Sequence, residues 1–367
     1  MDRNPTADVS ARRRFLATAG ALAASAALPA LAPAQETPLA PGVARKIPIG
    51  VFDPAFPDLS LDQMLEKYAA WGVEAAEIGT GGYPGDKHCP AQELLDDPAK
   101  MRVWQRKFAD KNVRVMTLSC HGNPVHPDPK IAQRDAENFR RTVLLAERLG
   151  VEVIVGFSGC PGGSPTDTMP NWITYRWPPE YAKAVEWQWK EKVIPYWKEA
   201  ARFAREHGIH RLAFEMHPNF VVYNPFTLLK LRDAVGEEIG ANVDLSHLFW
   251  QGCDPLEVIR MLGKQGCIFH AHMKDTTFYK QNVDHYGVLN FAFEKSELPQ
   301  ASETFRAVGY GHSANTWKEI VRTYMEVGYQ GMLSVENEDP ILPGEVGVQR
   351  ALTVLKNVRA ELLGTTA

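Results

Sequence analysis

Cysteine is scarce in this chain. There are five in 367 residues, Cys89, Cys120, Cys160, Cys253 and Cys267, and no two stand in C-x-x-C spacing. An odd number cannot all pair internally, and a chain of this length has no need of a disulfide scaffold. At most a single bridge is compatible with the pattern, and most of the five are expected as small buried residues. Runs of positive charge are also missing. After Arg14 no cluster of Lys or Arg recurs, and the formal net charge is −4. Such a surface has no electrostatic reason to track phosphate backbones, which argues against nucleic acid as a partner. The alanine-rich stretch near the N-terminus is too short and too weakly apolar to make a convincing membrane span.

The composition otherwise suits a globular protein with a sizeable core: 45% hydrophobic residues, with 26 prolines and 28 glycines. The N-terminal stretch reads differently. Arg12, Arg13 and Arg14 precede a modestly apolar, alanine-rich segment that ends in Ala32-Pro33-Ala34, a small-residue cleavage site. The arginine pair followed by Phe15-Leu16 resembles a twin-arginine export signal, with Ala11 in place of the usual Ser or Thr. We expect residues 1–34 to be a cleaved signal and the mature protein to be periplasmic or secreted. Loss of four arginines and two aspartates would take the formal charge from −4 to −6. Residues 35–46 form a proline-rich lead, and 47–363 the remaining single domain.

That domain alternates short apolar runs with amphipathic segments. The runs are IPIGVF (47–52), VEAAEIG (73–79), VRVMTLS (113–119), EVIVGF (152–157), LAFEMH (212–217), NVDLSH (242–247), CIFHAHMK (267–274) and MLSVEN (332–337). Helical periodicity fills the spaces, and several helices end in a glycine shortly before the next strand, as left-handed helix stops do. Strand–helix alternation with right-handed crossovers builds a parallel sheet. Eight units suit a closed (β/α)8 TIM barrel with insertions. The competing open, doubly wound sheet would want a glycine-rich turn after its first strand, and GVFDPAFPDLS is not one. Two connections, 158–180 and 275–314, are long and follow strands four and seven, where a barrel builds its site. The Trp- and Tyr-rich segment 171–197 reads equally as packing of an elongated fourth helix and as a wall that stacks on sugar.

Acids and imidazoles collect at the ends of consecutive strands. Strand five offers Glu215 and His217, strand six Asp244 and His247, strand seven His270 and His272, and strand eight Glu336 and Glu338. Each alone is weak: a terminal Glu can pair with a cation, and Asp244 can simply cap a helix. Together they would be buried carboxylates, which repel and are costly to desolvate unless paired or bound to a cation. One divalent ion resolves that cost. Three carboxylates with one imidazole suit manganese, magnesium or cobalt, and zinc also fits.

AFEMHP, NVDLSH, FHAHMKD and LSVENED, in this order and spacing, resemble the sugar phosphate isomerase/epimerase family with the xylose isomerase-like TIM barrel. VEAAEIG and RVMTLSCHGNP match its patterns as well, so that the resemblance spans roughly residues 47–360. It implies a metal held by Glu215, Asp244, His272 and Glu336. It further implies substrate contacts from His247 and Lys274, with His121, His217 and Arg306 as additional substrate-binding residues. His126 is expected to be structural, and His312 lies in the loop that relatives bring to the ligand. Relatives acting on abasic DNA carry a richer histidine set and a basic surface, neither of which can be assembled here.

The implied chemistry is proton abstraction beside a carbonyl, with a metal-stabilised enediolate and with Glu215, Glu336 and Lys274 as the catalytic groups. Returning the proton gives a sugar isomerase or epimerase. The alternative is a lyase or dehydratase that expels a β-leaving group from a 3-keto-glycoside or ketosugar. A non-catalytic periplasmic sugar-binding barrel is the reading from another class, and the presence of both glutamates counts against it. The expected partner is a small carbohydrate, with no nucleic acid and no stable membrane insertion. A homo-oligomer is compatible with all of these readings.

Overall fold

The structure, a computed structural model, describes residues 46–292 and 294–365. The expected leader and nearly all of the proline-rich lead lie outside the described residues.

Eight parallel strands close into a barrel. They are β1 (Ile49–Phe52), β2 (Ala75–Gly79), β3 (Arg114–Ser119), β4 (Val153–Gly156), β5 (Arg211–Glu215), β6 (Ile239–Asp244), β7 (Ile268–Met273) and β10 (Leu333–Val335). Closure runs β1–β10–β7–β6–β5–β4–β3–β2 and back to β1, which rules out the open sheet. Six of the eight expected apolar runs contain one of these strands, whereas β5 begins one residue before its run and β6 three residues before its run. The crossover helices stop where expected: Gly72, Gly150, Gly208, Gly266 and Gly328 have φ between 60° and 75°, a region glycine enters without Cβ strain. Asn112, at φ 56°, makes the same turn before β3.

One boundary moves. NVDLSH is expected as a strand, but the chain leaves extended geometry at Asp244, and Leu245–Trp250 is helical. Asp244 Oδ1 accepts from the Ser246 backbone N–H and from its hydroxyl, both at 2.8 Å, and so caps this short helix.

The two long connections carry structure of their own. Segment 275–314 folds into an antiparallel hairpin, β8 (Asp275–Phe278) with β9 (Glu303–Arg306), and a short helix at Lys280–Tyr286. Asp275 pins this insertion. Its Oδ2 accepts from the backbone N–H groups of Gly309, Gly311 and His312 at 2.9–3.0 Å and from the Trp317 indole at 3.2 Å. Gly311 fits only as glycine, because a Cβ there would lie 1.9 Å from the Thr276 carbonyl oxygen. In the other connection, Pro179–Trp187 runs through a π-helical stretch, Gln188–Val193, into Ile194–Glu206.

The barrel interior is layered. Val153, Val155 and Ala213, with Phe269 against them, form an apolar plug. Nearer the C-terminal ends the inward residues turn polar, with Glu77, Ser119, Asn242, His270, His272 and Ser334 all fully buried. All five cysteines are free thiols, and four of them are buried. No helix among the described residues is long and apolar enough to cross a membrane.

Candidate functional site

Register brings the strand-end groups together. Asp244 is level with His272 in the ladder, and His272 is level with Ser334 on its other side. Glu215 closes β5 opposite Asn242, and Glu336 follows β10 directly. One ligand atom each from Glu215, Asp244, His272 and Glu336 lies within 4.8 Å of all the others, and all four residues are buried.

Hydrogen bonds fix the orientation of each member. Asp244 spends Oδ1 on the helix cap, which turns Oδ2 toward the cluster. His272 points Nε2 at Glu77, 3.1 Å from both carboxylate oxygens, and Nδ1 at Glu336 Oε2, 2.9 Å away. Burial opposes its charge, but the Glu336 and Glu77 carboxylates hold this imidazole well above the ordinary histidine range. With an ion in place of the Nδ1 proton, the ring would keep Nε2–H on Glu77, the carboxylate–histidine arrangement that orients metal ligands. Glu77 is itself held by His270 at 2.8 Å and Ser334 Oγ at 2.6 Å. Burial alone would raise its carboxyl, but the His270 and His272 imidazoles outweigh burial and hold it well below the usual range. Glu215 accepts from His121 Nε2 at 3.1 Å and His247 Nε2 at 3.2 Å. These bonds likewise overcome burial and keep Glu215 ionised.

Lys274 completes the floor. Its Nζ lies 2.9 Å from Asp244 Oδ2, 2.8 Å from Glu336 Oε2 and 3.0 Å from Glu338 Oε2, and 4.4 Å from the Phe305 ring centre. Burial opposes its charge, but these carboxylates hold the ammonium well above the ordinary lysine range. One ammonium still faces an excess of carboxylates. Asp244 Oδ2 and Glu336 Oε2 remain buried without a hydrogen bond, although both are ion-paired to the ammonium. Buried anionic oxygens without donors are costly, and a divalent cation would satisfy both. The donor set therefore fits one ion.

Above the floor opens a cavity of about 530 Å³. Glu215, His121, His217, His247, Lys274, Glu336 and Glu338 line its polar end. His217 Nδ1 lies 2.5 Å from the Pro218 carbonyl oxygen, and burial, with His247 next to it, pulls its pKa down to about 3. A neutral ring then donates Nδ1–H to that carbonyl. Tyr83 closes one side, with its hydroxyl on Glu338. The rest of the lining is apolar: Phe157 against His121 and His217, Phe305 beside Lys274, and Trp172, Trp250, Leu289 and Phe291.

Several sequence expectations need correction. Arg306 does not reach the cavity. Along β9, alternation sends Glu303 and Phe305 to the cavity side and Arg306 to the other, where its Nε bonds Asp339 at 2.9 Å. His312 stacks on Phe249 and bonds Asp275, and so holds the insertion rather than the substrate space. His126 accepts from the Asp128 backbone N–H, a local turn contact, as a structural residue would. In the aromatic segment Trp189 and Trp197 are core, and Trp172 lines the cavity. Two acids were missed. Glu77 lies in the quoted run VEAAEIG, but its partners are nearly 200 residues away. Glu303 lies in the connection expected as a loop.

Comparison with known proteins agrees with the barrel fold. A family model described as xylose isomerase-like TIM barrel matches residues 65–358. An uncharacterised Bacillus subtilis (strain 168) protein, YfiH, is 34% identical over 304 residues, which cover 81% of this chain and 95% of that one. Among solved structures, the probable 3-DHS dehydratase AsbF of Bacillus anthracis superposes with a TM-score of 0.59 at 15% identity, covering 85% of this chain and 99% of that one. The 3-keto-D-glucoside 4-epimerase YcjR of E. coli gives 0.56 at 13% identity, covering 86% and 100%. Other structures of the same fold hold zinc or magnesium.

Proposed function

Because the chain belongs to the xylose isomerase-like TIM barrel family, we propose that it is a metal-dependent isomerase or epimerase of a sugar or ketosugar. The observation that carries this reading is the buried set Glu215, Asp244, His272 and Glu336, with two oxygens that no donor satisfies, at the floor of a substrate-sized cavity. A divalent ion there would polarise a substrate carbonyl and acidify the C–H beside it. Manganese, magnesium, cobalt and zinc all suit the donors. Glu215 and Glu336 come from strands on different sides of the barrel and flank that position, so that one takes the proton and the other can return it. His247 and Lys274 donate to the oxygens on which charge builds. His121 and His217 hold the sugar from the polar side of the cavity.

A second reading, elimination of a β-substituent from the same kind of ketosugar, is favoured by the apolar wall, which a bare sugar does not need. Both readings begin with proton abstraction. The test is metal analysis of the purified protein, followed by NMR of deuterium entering candidate ketosugars in D2O. We expect about one metal per chain and metal-dependent incorporation beside the carbonyl. Asp244→Asn should lose most of the metal, because it removes a charge and keeps the shape. An Asn variant that holds metal as tightly as the parent would refute the ligand set.

A further inference from the structure

We propose that Glu303 is the acid that protonates a departing oxygen of the substrate, and that the aromatic wall beside it receives an apolar leaving group. The inference rests on the proton-abstraction reading above and adds the substrate class: a ketosugar carrying an aromatic or similarly apolar substituent.

Glu303 is buried and belongs to the insertion, not to the barrel that supplies the cluster. Strand alternation puts it on the same face as Phe305, and both line the cavity. Thr276 Oγ1, on the paired strand β8, donates to its Oε1 at 2.5 Å, and no hydrogen bond from the described residues reaches its Oε2. One oxygen is thus anchored and the other is left to the cavity. Burial pushes this carboxyl up to about 7, with the Thr276 hydroxyl opposing, so that it carries a proton for much of the time near neutrality. The charged groups that act on it are His247, Asp244 and Lys274. Aromatic rings pack beside it as well: Phe291 pairs with it across a β-bridge and packs on Phe305 at 4.7 Å. A cavity that sets this acid and the Phe291 and Phe305 rings beside the carboxylate cluster suits a substrate whose departing group is apolar.

The step balances without a redox partner. A carboxylate of the metal set takes the proton from the carbon beside the carbonyl, and the C–H pair becomes the new C=C bond. The β-carbon–oxygen bond breaks, and its electron pair leaves with the oxygen. Glu303 gives its proton to that oxygen, which departs as a neutral alcohol or phenol. Water then restores both protonation states.

The test uses the metal-loaded protein and two aryl 3-keto-glucosides, one releasing phenol and one releasing 4-nitrophenol, which needs no acid to leave. Glu303→Gln keeps the shape and the acceptor for Thr276. We expect it to release phenol about 10²–10³-fold more slowly than the parent and nitrophenol with far less slowing. Glu303→Asp, which restores a proton, should recover part of the phenol release, and melting temperatures report folding of both variants. Equal slowing of the two substrates by Glu303→Gln, or no slowing of either, would overturn the acid role. Deuterium entry without release of either aryl group in the parent would overturn it too, while sparing the proton-abstraction reading. No deuterium entry in the parent would overturn both.

Discussion

Lys274 is the residue on which two physical roles meet. A buried ammonium among Asp244, Glu336 and Glu338 neutralises acids that burial would otherwise penalise. It also lines the cavity, where a developing oxyanion would form. The two roles separate in Lys274→Met, which keeps the length of the side chain and removes its charge. As a donor to substrate, the lysine should be worth about 10²–10³-fold in turnover, with metal content unchanged. As a purely structural cation it would cost stability and leave turnover per folded molecule near normal. Turnover, metal content and melting temperature measured on this one variant decide between them. Retained activity would remove the lysine from the chemistry.

The hairpin insertion is the element that turns a barrel top into a cavity, and Asp275 is what holds it. This carboxylate sits one residue after Lys274 and takes four N–H donors on a single oxygen, three from the returning backbone and one from Trp317. Asp275→Ala would strand those buried donors. At about 1 kcal/mol or more for each unsatisfied group, the loss should be roughly 3 kcal/mol or more. Urea unfolding should show a lower midpoint, and hydrogen exchange should rise first across 276–312. An unchanged midpoint would mean that the insertion is anchored elsewhere. Little of this element was legible in the sequence. Barrel strands announce themselves because each is an apolar run buried on both faces, and the ligand set could be seen because strand ends are countable. β8 and β9 are four residues each, DTTF and ETFR, with too few apolar positions to display a period. The inward direction of Glu303 and the outward turn of Arg306 follow from the hairpin register, which no local pattern specifies. Glu77 was hidden for a related reason. An acid inside the run AAEIG has no visible purpose until the closed barrel lays it against His270 and His272.

At the scale of the whole molecule, the site exists only once the chain has folded, because its ligands come from four strands that span residues 215–336. The barrel starts at Ile49, so that cleavage after Ala34 leaves all of it intact. We propose that residues 1–34, which lie outside the described residues, are a twin-arginine leader and that the enzyme works outside the cytoplasm. Sugar phosphates are scarce there, and the acidic floor of the cavity offers Lys274 as its one ammonium among the lining residues, already engaged by three carboxylates. Both points favour a free or oxidised glycoside over a phosphorylated sugar. Arg12 and Arg13 changed together to Lys keep the charge and alter the pair itself. Fractionation should then find the variant in the cytoplasm with its leader attached, whereas mass spectrometry of the parent should find a periplasmic chain that begins at Gln35. Normal periplasmic accumulation of the double-lysine variant would eliminate the twin-arginine route.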